Sequence, residues 1–276
     1  MPRFLAASLA AILAVSALGA AKAAEPAAGP AWAPGSSSDW TITIGAEGRV
    51  LPSYEGSNSY LLVPFPLFDI RRAGTPRHFS GPRDGFGFGV IDTGNFRLGP
   101  TFKLRLPRRE SDDNDLQGLG DVNWALEAGV FAEFWPVSWL RTRVELRQGF
   151  GGHHGVVSDL MADAVVPVTP QLTLSGGPRV TLASTAATAP YFSISPEQSA
   201  ASGLPVYDAG SGLRSFGAGA QARYEWSPQW ATHMFVEYER LAGDAANSPL
   251  VVQHGSRDLI QVGIGASYSF DIRGLW

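Results

Sequence analysis

Histidine side chains are the first candidates for chemistry in this 276-residue chain, because imidazole is the usual general base near neutral pH. The candidates are His153, His154, His233 and His254, with Ser158, Asp159 and Ser256 nearby in sequence. Glycines flank the pair His153 and His154, which is typical of a turn rather than of a positioned base. Two ligands are also too few for a metal site. Because no Gly-x-Ser-x-Gly motif occurs either, the sequence predicts a protein that is not an enzyme and that needs no metal or cofactor.

An acidic run at residues 110–115 raises the question of calcium binding. Its spacing roughly matches the start of an EF-hand loop, at Asp113, Asp115, Gln117 and Gly118. The twelfth position of that loop would be Trp124 instead of glutamate, and a strand pattern rather than a helix follows. We therefore expect a solvated acidic loop, with weak divalent binding alongside lipopolysaccharide as the alternative.

Charged and apolar side chains alternate along several segments, most clearly at residues 140–150. Four charges lie on one side of this segment, at Arg141, Arg143, Glu145 and Arg147. A period of two places them on one face of a β-strand, with the apolar residues on the other. Four charges on one face suit the interior of a barrel whose outer face is in lipid, not a soluble core. The other inward candidates are Arg97, Lys103, Arg105, Glu127, Glu133, Asp159, Asp163, Arg179, Arg223, Glu225, Glu237 and Glu239.

Two interpretations of this charged interior stay open. Long side chains of opposite sign could pair across the lumen and fill it, which we favour because both signs occur in comparable number. Alternatively, the charges could line a narrow channel that selects small solutes. The first interpretation predicts a closed barrel and the second a conducting one.

Strands must position these charges, and the last twenty residues, 257–276, show the longest strand pattern. Apolar side chains occupy the even positions from Ile260 to Phe270, and the chain ends at Trp276. Such a segment looks like the closing strand of a bacterial outer-membrane β-barrel, which the barrel assembly machinery recognises. We therefore predict an all-β fold: one antiparallel, up-and-down transmembrane β-barrel in the bacterial outer membrane.

The number of strands depends on a segment rich in glycine and proline. If residues 77–80 and 85–91 are two short strands, short and long connections alternate throughout and the barrel has about twelve strands. One bent strand there would give eleven and break the alternation. Ten strands is the fallback.

The N-terminal region predicts export. Residues 1–23 combine Arg3, an uncharged apolar stretch and the A-x-A site Ala21-Lys22-Ala23, which together are typical of a secretory signal peptide. We expect a flexible periplasmic tail at residues 24–38 and the barrel at 39–276. The 32 glycines and 11 % aromatic residues suit a barrel, and the formal charge of −4 argues against nucleic acid as a partner. The absence of cysteine excludes a lipid anchor and disulfides.

Several local motifs resemble the MipA/OmpV family of outer-membrane proteins. They occupy residues 52–57, 202–207, 240–250 and 265–270, and the resemblance extends from Trp40 to Phe270. The most specific element is Leu-Ala-Gly-Asp-Ala-Ala-Asn-Ser-Pro at residues 241–249, which we interpret as a loop. The loop residues that could touch a partner, or fold over the barrel mouth as we favour, are Tyr54, Gly56, Gly203, Tyr207, Asp244, Ser248 and Pro249.

The resemblance implies a non-enzymatic scaffold, because the best-described member of the family links a lytic murein transglycosylase to a murein synthase. These two enzymes, outer-membrane lipid and lipopolysaccharide, and the assembly machinery are therefore the expected partners. The periplasmic turns and the tail would form the contact surface. A narrow channel remains one alternative, and a surface adhesin or receptor acting through residues 184–212 and 242–256 is another.

Overall fold

A computed structural model describes residues 39–273 of the chain. The expected signal peptide, the expected tail and Trp276 therefore lie outside the described residues. Residues 39–273 form one antiparallel sheet of twelve strands, in the order β2-β1-β12-β11-β10-β9-β8-β7-β6-β5-β3, with β4 also paired to β5. The strands are β1 Trp40–Pro52, β2 Tyr60–Arg72, β3 Phe86–Gly87, β4 Ile91–Asp92, β5 Phe96–Arg105, β6 Ala125–Val137, β7 Leu140–Gly151, β8 Val156–Pro167, β9 Leu172–Ala183, β10 Gly212–Glu225, β11 Trp230–Leu241 and β12 Asp258–Ile272.

Alternation along each strand gives the sheet a charged inner face and an apolar outer face. In β7, Arg141 and Arg147 are buried, whereas Val144, Leu146 and Phe150 are about half exposed. Because water is absent from the bilayer core, this pattern requires the outer face to contact lipid and the sheet to curl around a polar lumen. The predicted all-β, up-and-down architecture is confirmed.

The two ends of the barrel differ in construction. The connections at residues 73–76, 93–95, 138–139, 168–171 and 226–229 are short and lie at one end. Three connections at the other end contain helices: α1 Thr185–Phe192, α2 Pro196–Ser202, α3 Gly243–Asn247 and α4 Pro249–Gln253, together with 3-10 turns at Glu110–Asp112 and Asn114–Leu116. None of the helices in the described chain is long and apolar enough to cross a membrane. We call the structured end, formed by residues 53–59, 106–124, 184–211 and 242–257, the cap.

The expected short strand at residues 77–80 is absent from the described fold, which corrects the predicted third strand. The count of twelve still holds, because two short strands, β3 and β4, form where one strand was expected at residues 85–91. Both of them pair with β5. They therefore occupy one position in the wall. Because β3 and β4 run antiparallel to β5, they run in the same direction as β2.

A seam consequently separates β2 from β3. No strand pairing joins these two within residues 39–273, and the seam is spanned by the rings of Phe68 and Phe86, whose centroids are 6.5 Å apart. Strand β2 contains Pro64 and Pro66, which lack the backbone N–H needed for a sheet hydrogen bond. Backbone positions two residues apart point to the same edge of a strand, so the two missing N–H groups lie along one edge of β2. Strand β2 is therefore suited to an unpaired edge of the sheet.

The chain between β2 and β3 passes through the lumen instead of completing the wall. Residues 77–85, which we call the inner segment, follow the turn after β2 and lead to β3. Arg83 of the inner segment contacts β9 and β11, and Asp84 contacts β7. The inner segment thus takes the place of the missing upward strand and partly fills the barrel.

Candidate functional site

The lumen is lined by a dense network of ion pairs. On β7, Arg147 donates to Glu127 of β6 at 2.9 Å and to Asp159 of β8 at 2.5 Å, and it also pairs with Glu145. The antiparallel register places these strands side by side, so inward residues on neighbouring strands meet. All four side chains are buried. Charges in a low-dielectric interior need such partners, because a lone buried charge is very costly.

Arg141, like Arg147, joins three carboxylates. Its guanidinium donates to Glu133 at 2.9 Å, to Asp163 at 3.1 Å and to Asp84 of the inner segment at 2.6 Å. Arg143 adds a bond of 3.2 Å to the same Glu133. The side chain of Arg141 is 0 % exposed, so every one of its charge-assisted bonds is shielded from solvent.

The inner segment contributes one charge of each sign to this network. Arg83 pairs with Glu237 and Glu239 on β11, the latter at 2.5 Å, and donates to Thr181 at 2.9 Å. Its carbonyl oxygen accepts from the ammonium of Lys103 at 3.1 Å. With Asp84 on Arg141, these bonds fix the inner segment to several faces of the lumen at once.

The remaining lumen candidates occupy the same inner face and have local partners. Arg97 lies 3.4 Å from Glu133, Lys103 lies 3.5 Å from Asp159, and Arg105 lies 2.5 Å from Glu55. Arg223 lies 3.4 Å from Glu225 on its own strand. The structure thus brings the candidates on β5 to β8 into one network, with Arg223 apart from it. Sequence reasoning did not single out Arg83, Asp84, Glu55, Arg108 or Arg214, because they lie in segments without alternation or at strand ends.

His153 lies in the turn between β7 and β8, as its glycine neighbours indicated, but its side chain points into the barrel. The side chain is buried, packs edge-on against Tyr191 and hydrogen-bonds Glu127 at 3.1 Å. Its Nδ1 accepts from the backbone N–H of Gly155, which leaves Nε2 to donate to Glu127. His233 in turn pairs with Glu47. Both histidines therefore serve as hydrogen-bonding members of the lumen network.

The cap is held together mainly by apolar packing. One cluster joins Phe192 and Tyr191 to Leu241, Val251 and Leu259, and a second joins Leu116, Leu119, Ile194, Leu204 and Leu250 to Tyr54. The predicted loop at residues 241–249 contains α3 and leads into α4, so it is partly helical. The loop candidates therefore lie within or against a folded layer.

Individual loop candidates have structural contacts in the cap. Ser248 donates to the carbonyl of Phe192 at 2.7 Å, and Pro249 begins α4. Tyr207 donates to the carbonyl of Asp244 at 2.9 Å, and the Asp244 carboxylate accepts from the backbone of Gly210. Gly56 and Gly203 have positive φ angles of 103° and 80°, and Gly203 ends α2.

The acidic run contributes hydrogen bonds within the cap. Asp113 accepts from Ser53 at 2.6 Å and from Ser57 at 3.0 Å. Although partial burial acts against it, these hydrogen bonds hold the pKa of Asp113 below its ordinary value. No group of three histidine or acidic side chains within residues 39–273 is arranged to hold a metal ion.

Two cavities occupy the lumen, on either side of Pro82. The cavity nearer the cap has a volume of about 240 Å³ and reaches Tyr191 and Arg214. The other has a volume of about 380 Å³ and is bordered by the inner segment and the seam side of β2. The inner segment thus divides the lumen between them.

The barrel has an apolar belt outside and paired charges inside, with short turns at one end and a structured cap at the other. These features define an outer-membrane β-barrel protein. The sequence then fixes the family. Residues 44–270 match the model of the family described as "MltA-interacting protein MipA", and the chain belongs to that family.

Comparison with solved structures finds porins and channels with low sequence identity. The KdgM porin is 12 % identical, with 83 % of this chain and 99 % of the porin covered, at a TM-score of 0.38. An outer membrane channel from Pseudomonas putida F1 is 11 % identical, with 84 % and 96 % covered, at 0.43. The NanC porin is 8 % identical, with 83 % and 98 % covered, at 0.41. Similarity at this level carries no information about ligands or conductance. A search of curated proteins found no significant match.

Proposed function

We propose that the protein is a non-enzymatic outer-membrane scaffold that holds a lytic transglycosylase acting on peptidoglycan. The observation that carries the proposal is the occupied lumen, in which the inner segment is fixed by ion pairs to β7 and β11. A barrel whose lumen is interrupted by a fixed segment would work through its outer surfaces and its ends. The choice of partner is supported by the description of the family as MltA-interacting proteins. A murein synthase would then be the second enzyme of the complex.

The periplasmic end offers the contact surface in this proposal. Its turns are only a few residues long, so they supply little area for docking a protein. We propose that residues 1–23 are removed as a signal peptide, that 39–276 form the barrel, and that the tail at 24–38 provides the reach. Fifteen residues span at most roughly 50 Å when fully extended. The tail would thus let an enzyme work on peptidoglycan while staying tethered to the membrane.

The test is retention of a purified lytic transglycosylase by the tagged protein in detergent. The informative variant replaces residues 24–38 by fifteen glycine and serine residues, which keeps the length and removes the side chains. The matched control is Val252→Ser, a change at an exposed position in the cap. We expect the wild type and V252S to retain the enzyme and the replaced tail to weaken binding at least tenfold. Failure of the wild type to retain any lytic transglycosylase would contradict the scaffold.

A narrow channel is the second candidate function, and one observation favours it. Cavities lie on both sides of the inner segment, which side-chain ion pairs fix in the lumen. Release of the inner segment would join the two cavities. The scaffold proposal expects no discrete conductance steps from the wild type in a planar bilayer, whereas the channel predicts them.

The pair of substitutions R83Q and D84N sharpens that measurement. They remove the two charges that attach the inner segment to β11 and β7, so we expect conductance steps only in this variant. Heat-modifiable gel mobility reports whether the barrel has folded. If the wild type showed conductance steps of the same size and frequency as the variant, the channel proposal would replace the scaffold proposal.

A further inference from the structure

The cavity beneath the cap has an excess of positive charge. Seven arginine or lysine side chains and five carboxylates line its volume of about 240 Å³, which leaves an excess of two positive charges. Most of these groups already belong to the ion-pair network, as Arg147 and Arg83 do. Arg49 also has a partner, Glu47, outside the lining. The cations of interest are therefore those whose hydrogen-bonding capacity is unused.

Arg214 is the clearest of these cations. Its side chain is 10 % exposed, and its nearest carboxylate is Glu55, at 3.6 Å from Nη2. Glu55 is already bonded by Arg105 at 2.5 Å. Neither Nε nor Nη1 of Arg214 has a hydrogen-bond partner among the described residues. Two guanidinium nitrogens are thus left without an acceptor in the described part of the chain.

Arg108 and Tyr191 add donors at the same cavity. Arg108 is 5 % exposed, and its Nη1 donates to the backbone carbonyl of Tyr191 at 2.8 Å. Within residues 39–273 no carboxylate lies within ion-pair distance of Arg108, and burial lowers its pKa. The buried hydroxyl of Tyr191 and the Nε of Arg108 also have no partner in this part of the chain.

Buried donors without acceptors are costly, and a buried cation without an anion is more so. Native structures rarely keep such groups unless a ligand, an ion or ordered water satisfies them. Arg214 and Arg108 supply charge, and Tyr191 supplies a neutral donor beside them. This combination is the one that recognises a planar carboxylate or a phosphate.

We propose that the cavity beneath the cap is a binding site for a small anion bearing a carboxylate or phosphate group, held by Arg214, Arg108 and the hydroxyl of Tyr191. The cavity volume of about 240 Å³ suits a small acid. A cation is disfavoured, because the unused groups are hydrogen-bond donors and the cations that line the cavity outnumber its carboxylates. The site is separate from the proposed periplasmic contact surface.

The test measures ligand-induced stabilisation of the full barrel in detergent, at constant ionic strength with chloride as the background anion. The probes are inorganic phosphate and acetate, which separate the two chemistries. We expect at least one of them to raise the unfolding midpoint with a saturable concentration dependence, which mass action requires of a ligand that binds the folded state. The site variant is R214Q, and R240Q is the control because Arg240 pairs with Asp258 outside the cavity.

We expect R214Q to weaken the apparent affinity at least tenfold and R240Q to leave it unchanged. If R214Q fails to fold, Y191F provides the second test, because it removes only the hydroxyl and should weaken binding severalfold. The proposal would be overturned if neither anion stabilised the wild type or if the stabilisation did not saturate. Equal stabilisation of the wild type, R214Q and Y191F would also overturn it. None of these outcomes depends on retention of a lytic transglycosylase.

Discussion

The cap and the inner segment both close the barrel, but they do so by different means. The cap packs apolar side chains into clusters, and Phe192, Leu116 and Leu250 in these clusters are only 0–1 % exposed. The inner segment relies on Arg83 and Asp84, which bond charged residues of the wall. The difference follows from the surroundings, because the cap must form its own core while the inner segment enters a lumen already lined with charge. Closure by packing is local, whereas closure by ion pairs depends on the whole wall.

Removal of Arg141, which helps to hold the inner segment, should have the largest effect on the stability of the barrel. Arg141→Ala leaves Asp84, Glu133 and Asp163 buried near each other without their shared cation. We expect a loss of roughly 3–5 kcal/mol in the free energy of unfolding, as found when one partner of a buried pair is removed. Urea unfolding followed by tryptophan fluorescence measures it.

The matched control for that prediction is Arg240→Ala. Arg240 pairs with Asp258 at 2.6 Å, but both side chains are more than 40 % exposed. An exposed pair contributes about 0–1 kcal/mol, so the control should unfold almost as the wild type does. Equal losses in the two variants would show that the lumen network does not stabilise the barrel.

A large-to-small change in the cap should act locally. Leu116→Ala removes a side chain that is 0 % exposed from the second cap cluster. The expected cost is roughly 2–5 kcal/mol, taken from the stability of the cap rather than of the wall. Limited proteolysis should therefore cut the cap faster while heat-modifiable mobility of the barrel is retained. Loss of that mobility together with the cap would mean that the two closures are coupled.

A charge on the outer face tests whether that face of the wall contacts lipid. Val144 is 45 % exposed and points away from the lumen on β7. Val144→Arg near the bilayer midplane should cost roughly 2–4 kcal/mol. Thr142→Arg, near the short-turn end of the same outer face, is the control and should cost less. Unfolding from lipid vesicles measures both, and unchanged stability of V144R would contradict the assignment of this face.

Acid should loosen the cap before the lumen, and this is the smallest effect. Hydrogen bonds from Ser53 and Ser57 lower the pKa of Asp113 in the folded state. A group with a depressed pKa contributes stability above its unfolded pKa, and that stability is lost as the pH falls through the folded pKa. Proteolysis of residues 110–115 should therefore accelerate below about pH 4, the ordinary range of aspartate. In Asp113→Asn the acceleration should disappear, whereas an unchanged pH profile would exclude Asp113 as its source.

Much of the wall could be predicted from the sequence, because alternation over ten or more residues is a strong signal. β7 and β12 illustrate this, since their inward and outward residues follow the two-residue period along most of each strand. The seam could not be predicted in this way, because β3 and β4 have two residues each. The pair Pro64 and Pro66 was the available indication of an edge strand.

Only part of the charged lumen network could be predicted, because only part of it lies on strands with clear alternation. Lumen charges on long strands, such as Arg147 and Glu127, follow the alternation. Arg83 and Arg214 do not, because one lies in an irregular segment and the other at a register shift in β10. The cap helices have five to eight residues, too few for a helical period to show.

The inner segment also has a consequence for the order of folding. Its ion pair between Arg83 and Glu239 joins residues 156 positions apart, and its bond from Arg141 to Asp84 spans 57. Neither contact exists until β7 and β11 stand in their final places, whereas each hairpin of the wall forms from neighbours in sequence. Docking of residues 77–85 therefore comes after β7 and β11 are in place, and it shares this dependence on distant contacts with the pairing of β1 and β12, where Thr41 and Asp271 are 230 positions apart.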